Sequence, residues 1–563
     1  MAEVRPIKRC EGRVPITSER HWYYLPEGRD LKICSRCFHD HLKNTPFANN
    51  FTFEYCRPGI RQSCDFNTPR MIATLHQALQ QGNFDTLKTF IVSRSGVKRC
   101  KENGGQVLPD EGYLWFEPRD PSLHGKLAAC QACYEDFVLA SGIAQHFSNT
   151  PIKQPEHLTY ICDLGWPFAQ KFLKQYNDWN QIFNYLVYRA NLPACAGGDE
   201  VDSSSRKWYQ MRAPDLTSIW MCEACYYDIA ALSPMEQHVY CPQQPLNVKL
   251  TCFASGSIPL RVAWNEAVAQ RNFNVFYQAA RVFVNSPPCT GQGVTNGVWY
   301  SLNPPAKEVD VCSACYAGIL VPCGVGHLMV RKMVPPGETR LCDMNLASPR
   351  AVDYLAKLDL GIDTGDDTIF PNYARRISET PLCSHGQILE NHRWYCHDMF
   401  ISCPSCYLEV IEGEPLESCF TARNELYSNK IKCDFYSARV RNIWREANDK
   451  NDLPGFVAFM TKRLEIWKQT YPEIQKGLAM MRMNMERQAT LHMSSLMLTG
   501  ANSIASAAGV DGNWGNSSVG YGYATSAGVE GAMQFNQAVG MGGANVGLSA
   551  TIMQLEALWK SVE

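Results

Sequence analysis

The chain has 563 residues, 25 of them cysteine, with 45% hydrophobic and 19% charged residues and a formal net charge of −2. That length predicts roughly three to five domains, and the composition is that of a chain that buries cores, not a disordered one. No apolar run approaches the roughly 18 residues of a membrane span, the opening MAEVRPIKRC lacks a signal-type stretch, and near-neutral charge gives no general case for nucleic-acid binding. The expectation is neither a membrane nor a conventionally secreted protein. In the reducing compartment that remains, paired cysteines usually bind metal.

In chain order, one pattern recurs five times. Residues 1–97 carry Cys10, the aromatic pair Trp22-Tyr23, the CxxC pair Cys34/Cys37 and Cys64. Residues 98–192 repeat it as Cys100, Trp115-Phe116, Cys130/Cys133 and Cys162. Residues 193–286 have Cys195, Trp208-Tyr209, Cys222/Cys225 and Cys252, and residues 287–380 have Cys289, Trp299-Tyr300, Cys312/Cys315 and Cys342. Residues 381–472 have Cys383, Trp394-Tyr395, Cys403/Cys406 and Cys433. The leading cysteines are 90, 95, 94 and 94 residues apart. The second CxxC cysteine is followed by Tyr in four copies and Phe in the first, and the last cysteine by Asp in four of five. The chain is thus a tandem array of one module.

Within a module, short strands are expected around the aromatic pair and ahead of the CxxC, as in Trp22–Leu25 and Asp30–Ile33, Ser218–Met221 or Val309–Val311. A short helix should follow the CxxC, as in Tyr134–Leu139, and another strand should precede the last cysteine, as in Leu158–Cys162. Helical periodicity closes the module. Met71, Leu75 and Leu79 mark a first helix, and Asn83 caps a second that carries Leu87, Phe90 and Ile91; Val262, Ala263 and Val268, then Asn272 and Phe276, repeat this. In the fifth copy Ile443 and Ala447 precede an Asn-Asp-Leu-Pro break and Phe456-Val457. The predicted fold is α+β: five tandem repeats of a metal-clasped β unit followed by a helical hairpin.

A CxxC turn presents two sulfurs to one metal, and two thiolates from distant strands complete a tetrahedron. A site closed by four cysteines has no position for water or substrate and is structural. Soft thiolates select zinc, with iron as the alternative. About five structural zinc ions are expected on the twenty cysteines of the pattern. The competing chemistries fit less well. A redox CxxC does not come with flanking cysteines at fixed distances in five copies, secreted disulfide modules need an oxidising compartment, and RING-type ligases need about eight ligands per module.

A hydrophobic strand running into C-x-x-C-Y at the head of a helix, as in Val311–Tyr316, resembles part of a ZZ-type zinc finger, a treble-clef-like peptide-binding module. The resemblance covers about ten residues per module and implies protein recognition. The ZZ pattern has a further CxxC upstream where this chain has a single cysteine, so no binding residues carry over.

Cys56, Cys241, Cys323, Cys396 and Cys419 lie off the pattern. Cys396 beside His397, with Cys419 downstream, raises a second metal site in the fifth module, against which stands their use as buried small hydrophobes. His39 and His41 read as a solvated helix end. The aromatic pairs are expected in the core, although stacking on bases or peptides is the other use of such rings. Residues 1–100 hold 16 Lys/Arg against 9 Asp/Glu, which is the nucleic-acid alternative. Five zinc sites with four thiolates each would add about −10 to the formal charge and work against it. There is no HExxH, GxSxG, P-loop or Rossmann fingerprint, and the Gly-rich run Cys289–Gly297 is a loop without a strand leading into it, so no enzyme is expected.

Beyond Pro472 the pattern stops. Residues 473–499 read as a Met-rich helix, either a surface for partners or self-association or a helix packed on the fifth module. Residues 500–548 read as a flexible Gly/Ala/Ser-rich linker, and 549–563 as a short amphipathic helix. The functional expectation is a non-enzymatic, intracellular zinc-binding scaffold, cytoplasmic or nuclear. Its expected partners are proteins, with self-association through the C-terminal region and no membrane. Nucleic-acid binding through basic module one is the alternative.

Overall fold

The computed structural model describes all residues except 1–5, 11, 17–20, 57–61, 103, 177, 245, 308, 388–391, 428–430, 511–522 and 524. It is an α+β array with the five-fold repeat, and it divides into two compact units, Met1–Glu379 with four modules and Thr380–Glu563 with the fifth and the C-terminal helices.

Each module begins with a small antiparallel sheet built on the aromatic pair. In the third, Trp208–Met211 lies between Trp220–Cys222 and Val239–Tyr240; in the fourth, Trp299–Leu302 lies between Val311–Cys312 and Met329–Lys332. In the first, His21–Tyr24 pairs with Thr52–Tyr55, and the expected third strand contributes the single bridge Tyr23–Ile33. The strand before the last cysteine pairs back on residues just after the leading one, as Tyr160–Ile161 with Gln106–Val107. Strands this short are marginal alone. Their alternation points Trp22, Trp115, Trp208, Trp299 and Trp394 into the core, where each is at most 1% exposed, as expected for the aromatic pairs.

The expected short helix after each CxxC takes a different form. Three helical residues lead into a wide turn whose hydrogen bonds run i→i+5: Lys43 N to Phe38 O, Leu139 N to Tyr134 O, Ala231 N to Tyr226 O, Val321 N to Tyr316 O and Glu412 N to Tyr407 O. Such π-type turns recur at sites with a geometric task. Here the turn brings the ring after the CxxC flat against the second ring of the aromatic pair. Tyr23–Phe38, Phe116–Tyr134, Tyr209–Tyr226, Tyr300–Tyr316 and Tyr395–Tyr407 are all stacked, with centroids 3.6–3.9 Å apart.

A helical hairpin closes every module: α1 (Pro69–Gln81) with α2 (Phe84–Ser95), α3 (Pro167–Gln175) with α4 (Trp179–Ala190), α5 (Ile258–Gln270) with α6 (Phe273–Val284), α7 (Ala351–Thr364) with α8 (Ile369–Ser378), and α9 (Ala438–Lys450) with α10 (Leu453–Ala507). Asn83 and Asn272 cap as expected, accepting from Asp85 N and Asn274 N. Thr68, Asp178, Ser257, Ser437 and Asp452 cap α1, α4, α5, α9 and α10, whereas α3, α7 and α8 begin without a side-chain cap.

Modules one to four interlock inside the first unit. Buried Arg94 at the end of α2 forms a bidentate pair with buried Asp136 in the π turn of module two (3.0 and 2.9 Å), and Arg13 reaches the same carboxylate. Arg189 at the end of α4 repeats this with Asp228 of module three (3.0 and 2.6 Å). At the next joint the corresponding residue is Gly318, where a Cβ would fall 2.5 Å from Pro259 of α5. Arg9 of module one also pairs with Glu266 of module three at 3.0 Å.

The C-terminal region corrects two expectations. α10 runs on through Pro472 to Ala507, so the Met-rich stretch 473–499 is the continuation of the fifth module's second helix. The stretch 500–548 is no flexible linker over most of its described residues: α10 ends in it, and α11 (Ser526–Lys560) occupies it from Ser526 and takes in most of the separate short helix expected at 549–563. Residues 511–522 lie outside the described part. The physical reason is packing. Small side chains let two helices approach closely, and tertiary contact overrides the low propensity of glycine. Gly477 faces Ile552, Asn484 bonds Asn545 at 3.0 Å, and Ser495 donates to Gly531 O at 2.7 Å along this antiparallel pair. At its far end Trp559 lies over Lys432 and Arg463, and Glu563 accepts from Arg463 and Ser437 (both 2.7 Å).

Candidate metal centres

The twenty cysteines of the pattern gather into five groups of four, and in every group the sulfurs all lie within 4.8 Å of one another. The groups are Cys10/Cys34/Cys37/Cys64, Cys100/Cys130/Cys133/Cys162, Cys195/Cys222/Cys225/Cys252, Cys289/Cys312/Cys315/Cys342 and Cys383/Cys403/Cys406/Cys433. All 25 cysteines are unbridged. A Zn–S bond of about 2.3 Å places tetrahedral sulfurs about 3.8 Å apart. The Cys289 and Cys315 sulfurs are 3.8 Å apart.

The backbone prepares these sulfurs to be anions. The N–H of the first CxxC cysteine donates to the last cysteine in all five modules at 3.3–3.4 Å: Cys34 to Cys64, Cys130 to Cys162, Cys222 to Cys252, Cys312 to Cys342 and Cys403 to Cys433. Gly12, Glu102 and Gly197 donate to the leading cysteine two residues earlier. Hydrogen bonds from the other three sulfurs, the first CxxC cysteine foremost, hold the leading thiols of Cys10, Cys100, Cys195, Cys289 and Cys383 far below the ordinary thiol range. Burial pushes Cys64, Cys162 and Cys433 the other way. A buried divalent cation resolves that conflict, because coordination deprotonates a thiol outright. The residues present fit a closed tetrahedral ion and leave no open coordination position.

A comparison with known protein families, with curated proteins and with solved structures found no match. The local likeness to ZZ-type fingers therefore stays confined to the strand–CxxCY segments, and the metal centres stand on their own geometry.

Two supporting sets were not assigned by sequence reasoning. One is the Asp that follows the last cysteine. In four modules its carboxylate accepts the backbone N–H two residues ahead of the CxxC: Lys32 to Asp65 (2.9 Å), Ala128 to Asp163 (2.7 Å), Asp310 to Asp343 (2.7 Å) and Ile401 to Asp434 (2.9 Å). This fixes the strand of the last ligand beside that of the CxxC. In module three, where Phe253 stands at this position, a parallel bridge between Trp220 and Cys252 does the same. The signal was present in the sequence as the repeated CD pair, but its partner is a backbone amide some 30 residues away. The other set is cationic. Arg13 donates to Cys133 and Arg441 to Cys406, both at 3.2 Å, so the second CxxC sulfur of modules two and five carries a guanidinium partner. Both arginines occur once, outside the repeat pattern, and the sequence held no signal for them.

The remaining candidates are not brought together as sites. Cys396 is buried in the module-five core, and among the described residues the only groups with metal-ligand geometry are the five above. His39 is half-buried beside Asp40, and His41 packs on Phe66. Cys241 is exposed, and Cys56, Cys323 and Cys419 join none of the five groups. The loop Cys289–Gly297 supplies the short strand Val294–Thr295, paired with Thr339–Arg340.

Proposed function

We propose that this chain is a non-enzymatic zinc-binding scaffold: about five structural zinc ions, each held by one of the four-cysteine groups, rigidify an array whose surfaces dock protein partners. The observation that carries the metal half is the gathering of four sulfurs in five buried groups with no vacant ligand position. Thiolates favour zinc over harder cations. Unoxidised cysteines in this number agree with a reducing compartment, cytoplasmic or nuclear. No helix among the described residues is long and apolar enough to cross a membrane. The scaffold half is supported by interlocked repeats, which make extended surfaces, and by the fact that the metal site offers substrate no coordination position. The nucleic-acid alternative loses ground because many cations of module one are already engaged: Arg13, Arg29, Lys32, Arg36, Lys88, Arg94 and Arg99 each pair with a carboxylate.

The test is metal content of protein purified under reducing conditions, with thiol titration before and after chelation. The expected result is about five zinc per chain and roughly twenty thiols exposed together on chelation. Protein without metal and with few free thiols would overturn the metal reading. Salt-dependent retention of the zinc-loaded chain on nucleic acid would overturn the choice of protein partners.

A further inference from the structure

The hairpin of α10 and α11 has small residues and Ile552 buried inside and many of its large apolar residues outside. Gly477, Ser495, Gly528, Gly531 and Ala538 are buried in the seam between the two helices. On α11 the residues Phe535, Val539, Val546 and Met553 are exposed, at spacings of four, seven and seven that place them on one stripe. On α10 the exposed Leu478, Met485 and Leu496 form a matching stripe. The two stripes border the same side of the hairpin, where His492 of α10 meets Phe535 of α11 edge to face at 5.6 Å. Together these seven side chains, 38–73% exposed, present roughly 450 Å², taking on the order of 110 Å² for a fully exposed one. That is the size of the largest patch on a typical monomer and would form the apolar centre of the ~800 Å² each partner contributes to a stable interface.

The glycines of α11 sort into two sets. In Gly528 and Gly531 a Cβ would fall within 3.0 Å of α10 side chains, so close approach inside the chain requires them. Gly540, Gly543 and Gly547 lie mid-helix with nothing within 4 Å of an added Cβ. Glycine weakens a helix interior, and nothing within this chain requires it at those three positions. They run as a ridge beside the Val539–Val546 stripe, where a further helix would approach closely.

We propose that this face is the interface between two copies of this chain, whose hairpins pair about a two-fold axis into a four-helix bundle. Charge selects the occupant. No Lys or Arg occurs between Arg487 and Lys560, so the α11 stripe and Leu496 have no cation beside them in sequence; Lys476, Arg482 and Arg487 lie only at the Leu478–Met485 end. An interfacial membrane helix uses cationic residues around its apolar face, and a charged partner protein would find no complement. An isologous interface needs only self-complementarity, and large side chains beside glycines on one face supply knobs and holes for each other. This inference uses none of the metal centres and stands apart from the metal reading.

The test is light scattering of the full-length, metal-loaded chain after size-exclusion chromatography, over about 1–100 µM, with metal content read separately on every sample. Twice the chain mass is expected. Val539→Glu/Val546→Glu should weaken association at least about tenfold, as loss of a central apolar cluster does. Gly540→Leu/Gly547→Leu is the second variant. The added Cβ meets no neighbour within the chain and leucine improves helix propensity, so the variant should raise helicity by circular dichroism while still splitting the dimer. A wild-type chain that stays monomeric at the top of the range would overturn the proposal. So would an unchanged dimer in both variants with the hairpin intact, or flotation of the monomer on phosphatidylcholine–phosphatidylserine vesicles, which would make lipid the occupant.

Discussion

Replacing Asp136 by Ala should destabilise the joint between modules one and two more than any equivalent change at the other joints. Asp136 is 3% exposed and takes both Arg94, through a bidentate pair at 3.0 and 2.9 Å, and Arg13. Removing the carboxylate leaves two buried guanidinium groups beside each other, with Val97 O at 3.3 Å as a remaining acceptor for Arg94 and Cys133 Sγ at 3.2 Å and Glu102 at 3.7 Å for Arg13. Breaking a buried pair from one side costs about 3–5 kcal/mol. The corresponding Asp228→Ala strands one arginine, and Asp228 is 19% exposed, so its cost should be nearer 1–3 kcal/mol. For a cooperative unit of about 200 residues the first loss lowers the melting temperature by on the order of 10 °C. The assay is calorimetry of both variants at matched zinc loading, with hydrogen exchange reporting which joint opens. An Asp136→Ala shift no larger than that of Asp228→Ala would refute the stacking logic.

Arg441→Met should leave four sites unchanged and weaken zinc at the fifth by about 10–100-fold, because it removes the guanidinium bonded to Cys406; competition with a chromophoric chelator should resolve one weak site of five. Trp299→Ala should cost about 3–5 kcal/mol through the cavity it opens, while Tyr300→Ala, half-buried and stacked on Tyr316, should lose far less; denaturant unfolding of both with zinc retained checks the ratio. Gly318→Ala should cost about 1–3 kcal/mol by forcing a Cβ against Pro259, and hydrogen exchange should show the third joint opening while the first stays closed. Zinc should leave as pH falls, because protons compete for the thiolates, and the sites of modules two and five, whose second CxxC sulfur carries a guanidinium, should empty last; release of those two sites before the others would contradict that role.

Sequence alone determined the module and its groups of four cysteines. Twenty cysteines at repeated spacings could be grouped four by four because covalent proximity fixes the CxxC pair and the period fixes the other two. The buried tryptophans, the helical hairpins and the Asn83 and Asn272 caps were legible for the same reason: each depends on local periodicity or on a residue two or three positions away. Tertiary structure decided what depends on distant partners. The clasp of Asp65, Asp163, Asp343 and Asp434 on a backbone amide is invisible in a string, since the acceptor is named and the donor is any residue. The joints join Arg94 to Asp136 and Arg189 to Asp228 across some 40 residues, and at the third joint the repeat abandons charge for Gly318 against Pro259. The stretch 500–548 misled by composition. Gly, Ala and Ser resemble a linker when counted, yet the same residues, seated opposite Gly477, Asn484 and Ser495, allow the close approach that makes the described part helix. Composition records how little a side chain occupies; only the fold decides whether that space goes to water or to another helix.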